Sequence, residues 1–143
     1  MGVIRELPDE QIEELLRTAL VGRIACCAHG AGGDNGRPYV VPLAYGYDGE
    51  AIYAHSGMGK KIRLMRAQPL VSFEVDRAEA VDRWCSVIAE GTYEELPDAE
   101  ARARAVAVIY PDAATRPLLP TDTIYYRIRL TGKSGRYEAP DEA

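Results

Sequence analysis

Residues 52–73 read IYAHSGMGKKIRLMRAQPLVSF. The apolar start predicts a strand ending in His55-Ser56, and Gly57 and Gly59 predict a turn. Lys60 to Ala67 then predicts a short basic helix, and Pro69 opens a further strand over Leu70 to Asp76. Lys60, Lys61, Arg63 and Arg66 fall within seven residues of a chain whose net charge is −5. A basic run on a short helix is more often a solvated face than a binding site. Here the acidic background, the helix start and the His55-Ser56-Gly57 approach favour an anion. Amides at a helix start point outward, and with a hydroxyl and cations beside them they match a phosphate monoester.

Outward from this stretch, Leu7-Pro8-Asp9-Glu10 opens a helix whose apolar stripe is Ile12, Leu15, Leu16, Ala19 and Leu20, with Gly22 ending it. Arg23 to Ala28, Pro38 to Tyr47 and Glu50 to His55 predict an antiparallel meander, with Asp48-Gly49 as a tight turn. Downstream, Arg77 to Arg83 reads as a polar connection and Trp84 to Glu95 as a long strand bent at Gly91. Leu96-Pro97-Asp98 caps a helix reaching about Ile109, with Ala103, Val106 and Ala107 inward. A proline-punctuated loop leads to a last strand, Thr123 to Thr131. The expectation is one domain over residues 1–132, mainly β with α insertions, and a mobile polar tail over residues 133–143. Six antiparallel strands are best closed into a small barrel, because closure removes exposed edges.

Composition narrows the function. The chain has 143 residues, 47% apolar and 27% charged, the balance of a soluble domain with a real core. Its net acidity argues against a nucleic-acid or anionic-membrane binder. No apolar run approaches a membrane span, and no signal peptide is evident, so a cytoplasmic location is expected. Nine tyrosines against one Phe and one Trp suit half-buried strands and interfaces.

The glycine run 30–36 leads into Arg37-Pro38 and a strand, not a helix, so it reads as a mobile loop. Cys26 and Cys27 are adjacent on a strand and face opposite ways, while Cys85 stands alone. Neither these nor His29 and His55 make a zinc spacing, so no metal is expected. Nothing fixes the separation of Glu74, Asp76 and Glu90, so a paired-carboxylate hydrolase is unsupported. His55 reads either as a strand-end histidine satisfied by backbone or as a hydrogen-bond donor near a ligand.

Several segments carry a resemblance. They are Val21-Gly22-Arg23-Ile24-Ala25, Pro38 to Tyr45, His55-Ser56 with Gly59-Lys60-Lys61-Ile62, Gln68 to Phe73, and Ser86-Val87-Ile88 with Gly91. In order and spacing the chain resembles the pyridoxamine-phosphate-oxidase-like FMN-binding split-barrel proteins, in the branch that includes nitroimidazole-resistance proteins. The resemblance implies a six-stranded antiparallel split β-barrel and a homodimer with FMN at the subunit interface. By the same resemblance, Lys61 and Lys60 hold the FMN phosphate, and His55 and Ser56 meet the phosphate and ribityl chain. Val41, Pro42 and Leu43 lie along the flavin ring. Trp84 and Ser86 reach the flavin from the neighbouring subunit.

The implied activity is an FMN-dependent oxidoreductase. Reduced nicotinamide would supply electrons for a small nitroaromatic or quinone, with His55 a catalytic candidate as substrate contact. Two alternatives stand beside it: a non-catalytic flavin or haem storage protein with His55 as haem ligand, and the same barrel using a deazaflavin. The arginine and tryptophan pattern that goes with pyridoxal phosphate is not evident near Tyr125 to Arg129, so vitamin B6 oxidation is not expected.

Overall fold

The computed structural model describes residues 2–140. Pro8 caps helix α1 (Asp9–Thr18), whose first turn carries Asp9 and Glu10 at the positive end of the dipole. Ile12, Leu15 and Leu16 are its buried stripe. The helix stops at Thr18, with Ala19 already extended. Gly22 is therefore not its terminator, as the sequence suggested. It lies in strand β2 (Val21–Cys26), where an added Cβ would collide with the Phe73 ring. The glycine serves close approach of ring to backbone.

Seven of the eight strands form one path. Its order is β3 (Tyr39–Ala44), β2, β6 (Leu70–Ala80), β7 (Arg83–Glu95), β8 (Ile124–Pro140), β5 (Ala51–Ser56) and β4 (Gly46–Tyr47). The two ends of that path, β3 and β4, are halves of one chain segment separated only by Tyr45. The sheet thus curls round and meets itself, as the expected barrel requires. Counting β3 and β4 as one bent strand leaves six around the barrel. Tyr45 pins the corner: its hydroxyl donates to Leu16 O at 2.6 Å and its ring meets Phe73 edge-on at 4.8 Å. The strand β1 (Gly2–Glu6), not anticipated from sequence, adds onto β8 alone.

Helix α2 (Lys60–Ala67) turns Ile62, Leu64 and Met65 into the same core as Ile24, Phe73, Val87 and Ile128. Helix α3 (Ala99–Ile109) is started by Asp98, whose side chain accepts from Ala101 N. It covers the outer side of β5 through Ala105, packed with Ala51, Tyr53 and Leu96. The expected phase of α3 was wrong: Ala103 and Ala107 are exposed. An alanine-rich helix has too little contrast between faces to fix its phase.

Two expected connections are strand. The supposed polar link 77–83 is the end of one long hairpin, with β6 running to Ala80 and β7 starting at Arg83. The supposed tail is β8 as far as Pro140, paired with β7 and β1; residues 141–143 lie outside the described residues. Gly135 admits Leu7, whose N–H donates to Gly135 O at 2.8 Å. Lys133 donates to Glu13 Oε2 at 2.9 Å and to the Tyr47 hydroxyl at 2.7 Å, tying β8 to α1 and β4. The bend expected at Gly91 is present as a register shift against β8.

Candidate functional site

Among the described residues the pairing leaves one opening in the barrel wall. β3 pairs with β2 alone, so the other edge of Tyr39 to Ala44 is free. β5 pairs with β4 only at Ile52 and Tyr53, so beyond them one edge of Ala54 to Ser56 is also unpaired, the other being taken by β8. From the Tyr45 corner the two lips diverge. The chain leaves the second lip at Ser56, turns through Gly57 to Gly59, and starts α2.

At that start, Lys61 Nζ donates to Ser56 Oγ at 2.8 Å, and Ser56 Oγ donates to Gly57 O at 2.6 Å. Gly59 caps α2 with no side-chain hydrogen bond, so the first amides of the helix keep their outward donors. A Cβ on Gly57 or on Gly59 would meet nothing within 4 Å. The turn therefore borders open space.

The four cations of the sequence separate here. Lys60 Nζ lies 2.9 Å from Asp34 Oδ2 and 4.8 Å from the centre of the Tyr39 ring. Arg63 donates to Gly32 O at 3.3 Å. Arg66 pairs with Glu95 at 2.5 Å. Lys61 has no carboxylate within ion-pair distance among the described residues; its neighbour is a neutral hydroxyl. Sequence reasoning missed Asp34 and Tyr39, because nothing in the glycine loop marks it as folding back on the helix.

His55 and Ser56 part company, since successive strand residues face opposite ways. Ser56 meets Lys61, while His55 faces α3 with Nε2 2.7 Å from the Tyr110 hydroxyl. Burial, and then the charge of Lys61, pushes the His55 pKa down, so the ring is neutral at pH 7. Tyr110 gave no sequence signal, lying at the end of α3 beside a proline loop.

The expected ring-binding trio is also divided. Val41 and Leu43 are half-buried against the core, and Pro42 between them is exposed outward. All three belong to the β3 segment that borders the opening.

Trp84 and Ser86 are not brought to Lys61 within one protomer. Ser56 pairs with Ile124 at the beginning of β8, whereas Trp84 pairs with Glu138 near its end. Trp84 Nε1 donates to Glu138 Oε1 at 3.1 Å.

The outer face of the β3–β2–β6–β7 sheet exposes Val21, Val40, Leu70 and Ile88. Registers place them on one side, along with Arg23, Glu74 and Asp76. Cys26 is buried and Cys27 exposed, as alternation predicts. Among the described residues no helix is long and apolar enough to cross a membrane.

A family model described as pyridoxamine 5'-phosphate oxidase matches residues 8–137. This chain belongs to the pyridoxamine 5'-phosphate oxidase family. A crystal structure of a FAD-binding protein from Mesorhizobium loti is 36% identical, with 96% of this chain and 99% of that one covered and a TM-score of 0.76. The structure of a candidate 5-nitroimidazole antibiotic resistance protein from Bacteroides thetaiotaomicron has a TM-score of 0.81 at 19% identity, covering 96% of this chain and 89% of the other. That likeness is one of fold. An uncharacterised protein of Rhizobium meliloti is 32% identical over 94 residues, 66% of this chain; the match spans 58% of the relative's length. The expected split barrel is thus the fold of this family, and in this chain the wall is split open beyond Tyr45.

Proposed function

We propose that this chain binds a flavin nucleotide in the split and acts as an oxidoreductase on a small electrophile. The observation that carries the reading is Lys61, a cation without an acid partner among the described residues, set at a helix start with no side-chain cap beside open space. A phosphate dianion supplies the missing charge and accepts from the α2 amides and from Ser56. The residues fit the group: a cationic phosphate seat at one end, and a free strand edge with apolar neighbours leading away from it.

In this reading Lys61 and Ser56 hold the phosphate, and Lys60 stays with Asp34 as a support for the loop. Val41, Pro42 and Leu43, on the free edge of β3, would lie along the ring system. Bound flavin would carry hydride from a reduced nicotinamide to an acceptor of nitroaromatic or quinone type. His55, neutral and tied to Tyr110, acts as a positioning residue that holds the strand end carrying Ser56.

The apolar outer sheet face favours a homodimer, since such patches are seldom left wet. A second copy is also the way Trp84 and Ser86 come near the ligand. The test is direct. Protein as isolated, or after addition of FMN or FAD, is expected to show a flavin absorption spectrum and to release a flavin identifiable by mass. Protein that stays colourless with both would overturn the reading. Light scattering is expected to give twice the chain mass, and a monomer would remove the interface.

A further inference from the structure

A cleft of about 300 Å³ is lined by Arg66, Glu95, Leu96, Pro97, Arg102 and the segment Thr121 to Tyr125. Its position follows from the pairing. Ile124 is the register partner of Ser56, and Tyr125 that of His55. Arg66 reaches back from the cleft to the turn that carries the seat, with Nη1 3.7 Å from Met58 Sδ.

The cleft's chemistry is mixed. The Arg102 guanidinium lies over the Tyr125 ring at 5.9 Å from its centre and donates through Nε to Leu96 O at 3.0 Å. Arg102 has no carboxylate partner among the described residues, unlike Arg66, which Glu95 neutralises. Leu96 is buried and gives an apolar floor beside Pro97. Thr121, Asp122 and Thr123 supply hydroxyls and an acceptor along one wall.

A flat heteroaromatic group with an exocyclic amine, joined to a sugar and a second phosphate, matches this set. The ring stacks against Tyr125 and Arg102, the amine donates to Asp122, and the phosphate meets the free arginine. We propose that this cleft holds the adenosine monophosphate arm of a dinucleotide. The inference rests on the flavin reading above, which puts the first phosphate at Lys61. The contact of Arg66 with Met58, in the turn between Ser56 and Lys61, favours the flavin's own arm, making FAD the preferred ligand. The same chemistry also occurs in a reduced nicotinamide dinucleotide.

The experiment is calorimetric titration of ligand-free protein with FMN, FAD and AMP, in wild type, Arg102→Ala and Thr123→Glu. Both positions are at the surface or half-buried, and the pair guards against one variant failing to fold. Wild type is expected to bind FAD at least about tenfold tighter than FMN. AMP is expected to compete with FAD and not with FMN, and each variant to bring the two flavin affinities together while FMN affinity holds. If the flavin affinities are already equal, but each variant weakens NADH binding to FMN-loaded protein by about tenfold, the arm belongs to the nicotinamide dinucleotide and the cleft assignment stands. Equal flavin affinities with no effect of either variant on FAD or NADH overturn the cleft alone. Absence of binding by both FMN and FAD overturns the cleft together with the flavin reading.

Discussion

Arg23 on the outer sheet face and Lys61 at the mouth of the split are both cations on a net acidic chain, and they are answered differently. Arg23 Nη1 lies 3.1 Å from Glu74 Oε1 and 2.8 Å from Asp76 Oδ2, so two acids meet one base. Among the described residues Lys61 meets only a neutral hydroxyl. The first cluster has charge to spare on the acid side. Burial, followed by the hydrogen bond and charge of Asp76, pushes the Glu74 pKa up to about 7, against the pull of Arg23. The second cluster has charge to spare on the basic side, next to open space. A ligand site is marked less by the number of charges than by the one that the fold leaves unanswered.

The largest expected effect breaks that contrast directly. Lys61→Ala is expected to weaken flavin binding by about 1.5–3 kcal/mol, the scale of a charge-assisted hydrogen bond, read from fluorescence titration. Unchanged affinity would put the phosphate elsewhere. Next comes the strand that carries Arg23. Gly22→Ala pushes a methyl into the Phe73 ring and is expected to cost about 1–3 kcal/mol of folding stability by denaturant titration. A neutral result would mean that β2 and β6 can move apart freely.

The third test is pH. The folded-state pKa of Glu74, about 7, lies above its ordinary value of 4.5, so the folded protein binds more protons between the two. The Glu74 contribution is full below about pH 4.5 and is lost as pH rises through about 7. Glu74→Gln is expected to flatten stability across that window, and an unchanged slope would refute the assignment. A smaller signal lies beside Lys61. Removing that charge in Lys61→Ala is expected to raise the His55 pKa, read by NMR titration, because the lysine is one of the two causes that lower it. Smallest of all, Lys60→Ala is expected to leave flavin affinity near wild type, since Asp34 already answers that cation. A loss matching that of Lys61→Ala would show the two lysines to act as one.

Much of this was legible in the residues. The helix over Lys60 to Ala67 stands where the spacing placed it, and the strand, turn and basic helix around Ser56 came through intact. Periodicity reports local structure well, and these segments are locally determined. Gly22 misled, because it is needed for the approach of Phe73, a side chain distant in sequence. Polar composition misled over residues 133–140, which are held by pairing with β7 and β1 and by the bonds of Lys133. At the site, sequence gave the cations but not which of them was spent. That depended on Asp34, Glu95 and the Gly32 carbonyl, all brought in by the fold.

The corner at Tyr45 has a thermodynamic corollary. It joins the barrel's two ends yet leaves their lips without mutual hydrogen bonds, so a molecule lodged between them would complete the wall. Such a molecule binds the native chain and has little hold on the unfolded one. By mass action, a hundredfold excess over Kd would then add about 2.7 kcal/mol to the unfolding free energy. Thermal shift with added ligand would thus report occupancy of the gap without any turnover at all.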